Sequence, residues 1–179
     1  MARRTEPAAT ATDPHEAARI DPATLPGRPC SIAAALDVVG DRWSLLIVRE
    51  VMFGNGRFTQ LVRNTGAPRD RIAARLRTLV DAGVLERHAY QDSPRREEYR
   101  LTQAGRELGS VTSALLAWGD KWAVSTPPMR QTHHDHAFTP SVHCAECGEP
   151  VTRSDIVREV VADGWDLRGP LDDADDARS

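Results

Sequence analysis

The chain has 179 residues, of which 40% are hydrophobic, 27% charged and 5% aromatic, and this composition excludes a wholly disordered protein. No run approaches the roughly 20 apolar residues of a transmembrane helix, and the first residues have no apolar stretch behind their two arginines. We therefore expect a cytoplasmic protein with no membrane partner. Three cysteines are too few for a disulfide framework.

The net charge of -3 is distributed unevenly along the chain. Residues 1–27 carry -1, residues 28–128 carry +4 and residues 129–179 carry -6. A basic middle segment calls for an anionic partner. The stretch from Arg57 to Arg77 holds six arginines and one aspartate, which is the strongest local charge signal and indicates nucleic acid.

The sequence divides into three parts. Residues 1–27 are rich in Ala, Thr and Pro without an apolar period, which predicts a disordered arm. Residues 28–126 have the apolar periods of a packed domain. Residues 127–179 form an extension with a Cys-x-x-Cys motif and the acidic run 172–176, which we interpret as a solubilising end.

The packed part begins with helices. Apolar residues at helical spacing predict a helix over 31–39, closed by Gly40, and a second helix that Asp41 caps and that ends near Phe53. A short helix of under two turns follows around Leu61.

A longer helix over residues 69–82 has two different faces. One is an apolar stripe, and the other is polar and bears arginines. Two helices joined by a short Gly-containing turn, the second with such a face, are typical of a helix-turn-helix. Residues 84–90 and 98–101 alternate as strands around a loop over 91–97, which predicts a wing with Arg95 and Arg96 at its tip.

Thr102 then caps a long helix. Its apolar residues step by three and four, the spacing of a helix that packs lengthwise on another helix; they are Leu108, Val111, Leu115, Trp118 and Trp122. A homodimer is the natural partner, although the same stripe could close the domain's own core. The predicted fold class is mainly α with a small β-hairpin wing (α+β), a winged helix-turn-helix with a long dimerisation helix.

Three segments are distinctive: residues 35–50 read ALDVVGDRWSLLIVRE, residues 75–87 read RLRTLVDAGVLER, and residues 118–122 read WGDKW. In these segments the chain resembles the HxlR-type winged helix-turn-helix regulators. The resemblance covers about residues 28–126 without a gap. It implies a homodimeric transcription factor, by default a repressor, that binds a pseudo-palindromic operator in double-stranded DNA and is not an enzyme.

The resemblance also implies which side chains contact DNA. Helix 69–82 would enter the major groove and wing 84–101 would lie beside it, and Pro68 stands where relatives carry Ser or Thr. Arg71 or Arg75 would form a bidentate contact with guanine. The full set of expected contacts is Arg57, Thr59, Arg69, Asp70, Arg71, Ala74, Arg75, Arg95 and Arg96. The alternatives are a solvated arginine face, or a winged-helix protein-interaction module without specific DNA binding.

Cys30 is a candidate redox sensor. It stands just before a predicted helix and two residues after Arg28, a setting that lowers the pKa of a thiol. The resemblance implies a switch by an intersubunit disulfide or an adduct. The alternative is a small buried apolar residue.

The extension carries a candidate structural zinc site. Cys144 and Cys147 are spaced as a knuckle, and His134 and His136 would complete four ligands. The alternatives are a turn with free thiols and a redox pair. No Gly-rich phosphate loop or nucleophile motif suggests an enzyme.

A small-molecule effector is also possible. The place for it is a crevice between the long helix and the core, where Trp118, Trp122 and Phe53 would meet, although aromatic residues there are more often packing.

Overall fold

The computed structural model describes residues 19–92 and 95–171, with the backbone alone for Asp92 and Arg95. Its helices are α1 (Ser31–Val39), α2 (Ser44–Met52), α3 (Phe58–Thr65), α4 (Arg69–Asp81) and α5 (Gln103–Trp122). Its strands are β1 (Leu85–Asp92), β2 (Arg95–Leu101), β3 (Thr132–His133) and β4 (His136–Ala137). The fold is a winged helix with five helices in the described part, as predicted. The predictions for residues 1–18, for the acidic run 172–176 and for the Arg95 side chain lie outside it.

The core lies where α2, α3, α4 and β1 meet. Ile47, Leu61, Ile72, Leu76 and Leu79 are fully buried there. Each such side chain stabilises the fold by about 1.5–3 kcal/mol relative to an exposed one. The apolar stripe predicted for α4 is therefore the face that holds the helix-turn-helix together.

Side chains cap two helices as the sequence predicts. The Asp41 carboxylate accepts hydrogen bonds from the backbone N–H groups of Trp43 (2.8 Å) and Ser44 (3.2 Å) at the start of α2. The Thr102 hydroxyl accepts one from the N–H of Gly105 (3.2 Å) at the start of α5. Each cap satisfies donors that the first helical turn leaves without an intrahelical partner.

The structure differs from the predictions in two helical regions. α3 has eight residues rather than under two turns, because Gln60 Oε1 accepts the Arg57 N–H at its start and Gly66 adopts a left-handed φ of 70° at its end. Pro22–Thr24, in the predicted disordered arm, forms a 3-10 turn that Asp21 caps.

The wing is longer than predicted. β1 and β2 pair antiparallel from Leu85 with Leu101 to Asp92 with Arg95, with a bulge between Ala89 and Gln91. Most of the predicted loop 91–97 is therefore strand, and Arg96 lies in β2, paired with Gln91, rather than in a loop. Strand alternation was invisible there because the residues are nearly all polar, whereas backbone hydrogen bonds hold the ladder.

The extension continues from α5 as small hairpins. β3 pairs with β4, and His143 forms an isolated bridge with Pro150. A 3-10 turn follows at Arg153–Asp155. Throughout residues 19–92 and 95–171, none of the helices combines the length and apolar character that crossing a membrane requires.

Candidate nucleic-acid interface

The two faces of α4 separate cleanly. Ile72, Leu76 and Leu79 point into the core, whereas Arg69, Asp70, Arg71 and Arg77 are exposed. Ala74 is half-buried on the same helix. The exposed residues of α4 therefore include three arginines and two aspartates, Asp70 in the first turn and Asp81 at the last position. Long donor-bearing side chains such as arginine suit base edges and phosphates.

Arg69 is held at the start of α4. Its guanidinium carbon lies 5.0 Å from the centre of the Phe58 ring in α3, within the range of a cation–π contact. This contact orients Arg69 across the turn between α3 and α4.

Arg75 has a partner inside the domain, and its contact with the groove stays a prediction. Its Nη1 lies 3.5 Å from the Asp41 Oδ2, and both side chains are half-buried. Burial raises the pKa of the Asp41 carboxyl. The hydrogen bonds from Ser44 and Trp43 and the charge of Arg75 lower it by more, so the carboxyl pKa lies below its usual value. Arg75 thus joins α4 to the cap of α2, and Arg71 is the better candidate for guanine.

The start of α3 and the wing form one surface. The Arg57 guanidinium carbon lies 4.6 Å from the centre of the Tyr90 ring on β1. The backbone of Arg57 bridges to Glu98, and the Tyr99 N–H donates to the Gly56 carbonyl (2.8 Å). The wing is therefore fixed against the residues that begin α3.

The remaining predicted contacts flank this surface. Thr59 is exposed on α3 and Arg96 is exposed on β2. For Arg95 the structure describes only the backbone, which pairs with Asp92. Contacts of these residues with phosphates beside a groove stay a prediction.

Glu50 is an organising residue that the sequence reasoning missed. It is 5% exposed, and its carboxylate accepts hydrogen bonds from Arg49 Nη2 (2.8 Å), Asn55 Nδ2 (3.0 Å) and Asn64 Nδ2 (2.9 Å). It therefore ties the end of α2 to the next turn and to α3. An acid at a buried position of an apolar helix was the available signal, but its partners are not evident from spacing.

The predicted dimerisation stripe is mostly exposed. Val111, Leu115, Trp118 and Trp122 are 48%, 53%, 59% and 66% exposed. Leu108 instead packs against the core, so the stripe closes the domain's own core only at its first position. The other four leave an apolar band along α5, a feature that marks an interaction surface.

Cys30 lies directly before α1 and is half-buried. Hydrogen bonds from the backbone N–H groups of Ala33 and Ile32, with a smaller effect of the Arg28 charge, hold the pKa of its thiol below the usual value. This is the environment in which a thiolate forms. The cysteine is accessible enough for chemistry, which a fully buried residue would not be.

The four predicted zinc ligands fall in two separate turns. Cys144 and Cys147 share one turn, in which the Gly148 N–H donates to the Cys144 carbonyl (2.8 Å) and the N–H groups of Cys147 and Glu146 lower the pKa of the Cys144 thiol. His134 lies in the turn between β3 and β4, and His136 begins β4. Among the residues that the structure describes, no three His, Cys, Asp or Glu side chains are grouped to hold a metal ion. Zinc binding stays a prediction, and the pair of thiols supplies only two ligands.

Comparison with known proteins identifies relatives that are described as helix-turn-helix regulators. The sequence pattern of the family described as HxlR-like helix-turn-helix matches residues 38–127. An uncharacterized HTH-type transcriptional regulator of Mycobacterium tuberculosis is 44% identical over 134 residues, which cover 72% of this chain and 84% of the relative. A regulator of the same description from Synechocystis is 35% identical over 113 residues, covering 61% of this chain and 84% of the relative.

Solved structures agree with the sequence matches. The crystal structure of PA1607, described as a transcription factor, superposes with a TM-score of 0.65 at 32% identity, covering 73% of this chain and 94% of the other. PA1374 of Pseudomonas aeruginosa superposes with a TM-score of 0.54 at 26% identity, covering 78% of this chain and 97% of the other. The chain belongs to the HxlR-like helix-turn-helix family, and it is a transcriptional regulator of the helix-turn-helix type.

Proposed function

We propose that this protein is a homodimeric repressor that binds a pseudo-palindromic operator in double-stranded DNA, with α4 in the major groove and the wing on the adjacent backbone. The observation that carries the proposal is the division of α4 into a fully buried apolar face and an exposed face with Arg69, Arg71 and Arg77. A helix anchored in this way presents its donors to base edges as a rigid unit.

The charge distribution supports the same partner. The net charge of +5 over Arg57 to Arg77 lies in a chain whose total is -3. The helix-turn-helix therefore attracts the DNA phosphates, whereas the net negative charge of the rest of the chain repels them. This difference favours one orientation of the protein on the phosphate backbone.

The apolar band on α5 supports a dimer. Packing two copies through Val111, Leu115, Trp118 and Trp122 would remove exposed apolar surface from water. A two-fold dimer would place two copies of α4 in major grooves about 10 bp, or a multiple of that, apart. Repression follows the family resemblance, because a dimer seated on a promoter blocks other proteins from it.

Titration of the purified protein against labelled genomic fragments, including DNA upstream of its own gene, tests the proposal. We expect selective binding whose log Kobs falls linearly with log salt concentration. Binding that is absent, or that is insensitive to salt, would contradict DNA recognition and favour a protein partner for the winged helix.

Cys30 supports a redox control of this activity. Two Cys30 thiols, one from each protomer, would each lose a hydrogen and form one disulfide, while diamide takes up both hydrogens. We expect the Cys30→Ser protein to bind DNA like the wild type but to ignore diamide, measured by the same titration. Equal sensitivity of the two proteins would exclude Cys30 as the sensor.

A further inference from the structure

A cavity of about 360 Å³ lies between α2, α5 and the residues that follow α5. Its apolar walls include Leu46, Met52, Phe53, Leu116 and Met129. The chain has three methionines, and both of those after the first residue line this one space. Methionine fills irregular gaps and adapts to varied shapes, and its sulfur makes favourable contacts with aromatic rings.

The cavity lies between the long helix α5 and the core, where the sequence predicted a crevice, but its lining differs from the predicted one. Phe53 lines it, but Trp118 and Trp122 do not, because they lie on the exposed band of α5. The space is bounded by Met129 and Gln131 of the extension. It is therefore formed within a single chain, and of the apolar band on α5 it shares Leu115 but neither tryptophan.

Gly109 keeps the cavity open. It lies within α5, where glycine is about 1 kcal/mol less favourable than alanine. An added Cβ would have an ordinary contact of 3.6 Å with Met52 Cε, so no close backbone approach requires a glycine here. A larger side chain at this position would project into the cavity.

The polar lining favours a neutral ligand. Arg49 is the charged residue of the wall, and Glu50 already neutralises it through hydrogen bonds of 3.1 Å and 2.8 Å. Thr112 and Gln131 offer neutral hydrogen-bonding groups. An ionised ligand would gain no unbalanced charge and would lose its hydration.

The volume of the cavity limits the size of the ligand. An apolar protein cavity of about 150 Å³ is known to accept benzene, and this cavity has more than twice that volume. We propose that it binds a neutral aromatic molecule of one or two rings.

The position of the cavity suggests how such a ligand would act, and this step rests on the proposed function. Arg49 lines the cavity and also bonds to Glu50, which holds Asn55 and Asn64 before α4. α5 forms the opposite wall and carries the apolar band through which we propose that the protein dimerises. A ligand that favours one spacing of α2 and α5 therefore shifts the DNA-binding equilibrium, and DNA shifts ligand affinity equally.

The binding site is tested without DNA, using the neutral two-ring fluorophore 1-naphthylamine as the probe. We expect saturable binding at one site per chain in the wild-type dimer. Gly109→Leu should weaken the probe's affinity by at least about tenfold by filling the space. Gly109→Ala, which leaves most of the cavity open, is the matched control and should bind like the wild type.

A second variant tests the same cavity in case Gly109→Leu fails to fold. Met129→Trp fills the cavity from the extension, outside the winged helix, and should lower the affinity similarly. Failure of the wild-type dimer to take up the probe would show that a partner copy or another segment fills the cavity. Equal binding by Gly109→Leu and Gly109→Ala would place the probe elsewhere. Either result overturns the proposal.

The regulatory step has its own measurement. With saturating probe, the wild-type affinity for operator DNA should change by at least about threefold, and that of Gly109→Leu should not. Unchanged DNA affinity in the presence of bound probe would refute the coupling while leaving the binding site intact. Absence of DNA binding without probe would instead refute the proposed function.

Discussion

The arginines on α4 have different surroundings, from which we infer different roles. Arg71 is exposed on the outward face, whereas Arg75 is bound to Asp41. An arginine that is already paired inside the domain has fewer donors left for a base, and withdrawing it would cost the ion pair. We therefore propose that Arg71 recognises a base and that Arg75 positions α4 against α2.

Replacing Arg71 tests this assignment. We expect Arg71→Ala to weaken operator binding by about 5- to 150-fold, the value of one bidentate contact to guanine, and to relax specificity at one base pair of each half-site. Fluorescence anisotropy with operator variants measures both effects, and Arg158→Ala in the extension is the control. A uniform loss over all sequences would make Arg71 a phosphate contact instead.

Glu50 predicts a dependence of stability on pH. Burial raises the pKa of its carboxyl, but hydrogen bonds from Asn64, Arg49 and Asn55 outweigh burial and hold the pKa below its usual value. Since the folded-state pKa is lowered, the stabilisation is complete above the unfolded pKa of about 4.3 and is lost as the pH falls through the folded value.

We therefore expect the free energy of unfolding to decrease more steeply below about pH 4 in the wild type than in Glu50→Gln. The substitution should also lower stability at pH 7, where the ionised carboxylate accepts all three donors. Urea unfolding at several pH values gives both quantities. Parallel curves for the two proteins would show that Glu50 contributes nothing through its charge.

Local features of the residues were predictable, and distant pairs were not. The Asp41 cap follows from its place just before an apolar helix, since a cap acts over two or three residues. The pairing of Asp41 with Arg75 joins residues 34 positions apart, and that of Glu50 with Asn64 spans 14. Such pairs depend on how helices cross, which periodicity does not specify.

At the scale of elements, the wing is positioned by Gly56. Its carbonyl accepts the Tyr99 N–H, and a Cβ at this position would collide with the Tyr99 carbonyl oxygen. The backbone at Gly56 can therefore approach β2 this closely only because residue 56 has no side chain. The helices were predicted because their apolar stripes are regular, whereas the strand ends were missed because polar residues fill both faces of the hairpin.

Gly56→Ala should accordingly lower the free energy of unfolding by about 1–3 kcal/mol, the usual cost of a forced backbone shift. Gly119→Ala is a matched control, because nothing lies within 4 Å of the added Cβ, and should gain about 0.5–1 kcal/mol of helix stability. Thermal unfolding of both variants measures the difference. A loss at Gly119 equal to that at Gly56 would mean that the contact with Tyr99 is not the cause.

For the molecule as a whole, the proposed operator binding requires dimerisation through α5. We expect the double variant Trp118→Glu, Trp122→Glu to be monomeric in sedimentation equilibrium and to lose operator affinity, because two adjacent copies would bring four like charges together. Val157→Glu, at a residue 94% exposed in the extension, is the control and should remain dimeric. A dimeric double variant would place the interface elsewhere.

The proposed function requires that the exposed face of α4 recognises bases in the major groove of two half-sites. Guanine methylation interference on a bound fragment tests it most directly, because methylation at N7 blocks the major-groove edge. We expect two symmetric clusters of interference about 10 bp, or a multiple of that, apart, and loss of the strongest guanine signals in Arg71→Ala. Binding that tolerates methylation at every guanine, or interference at a single unsymmetrical site, would contradict it.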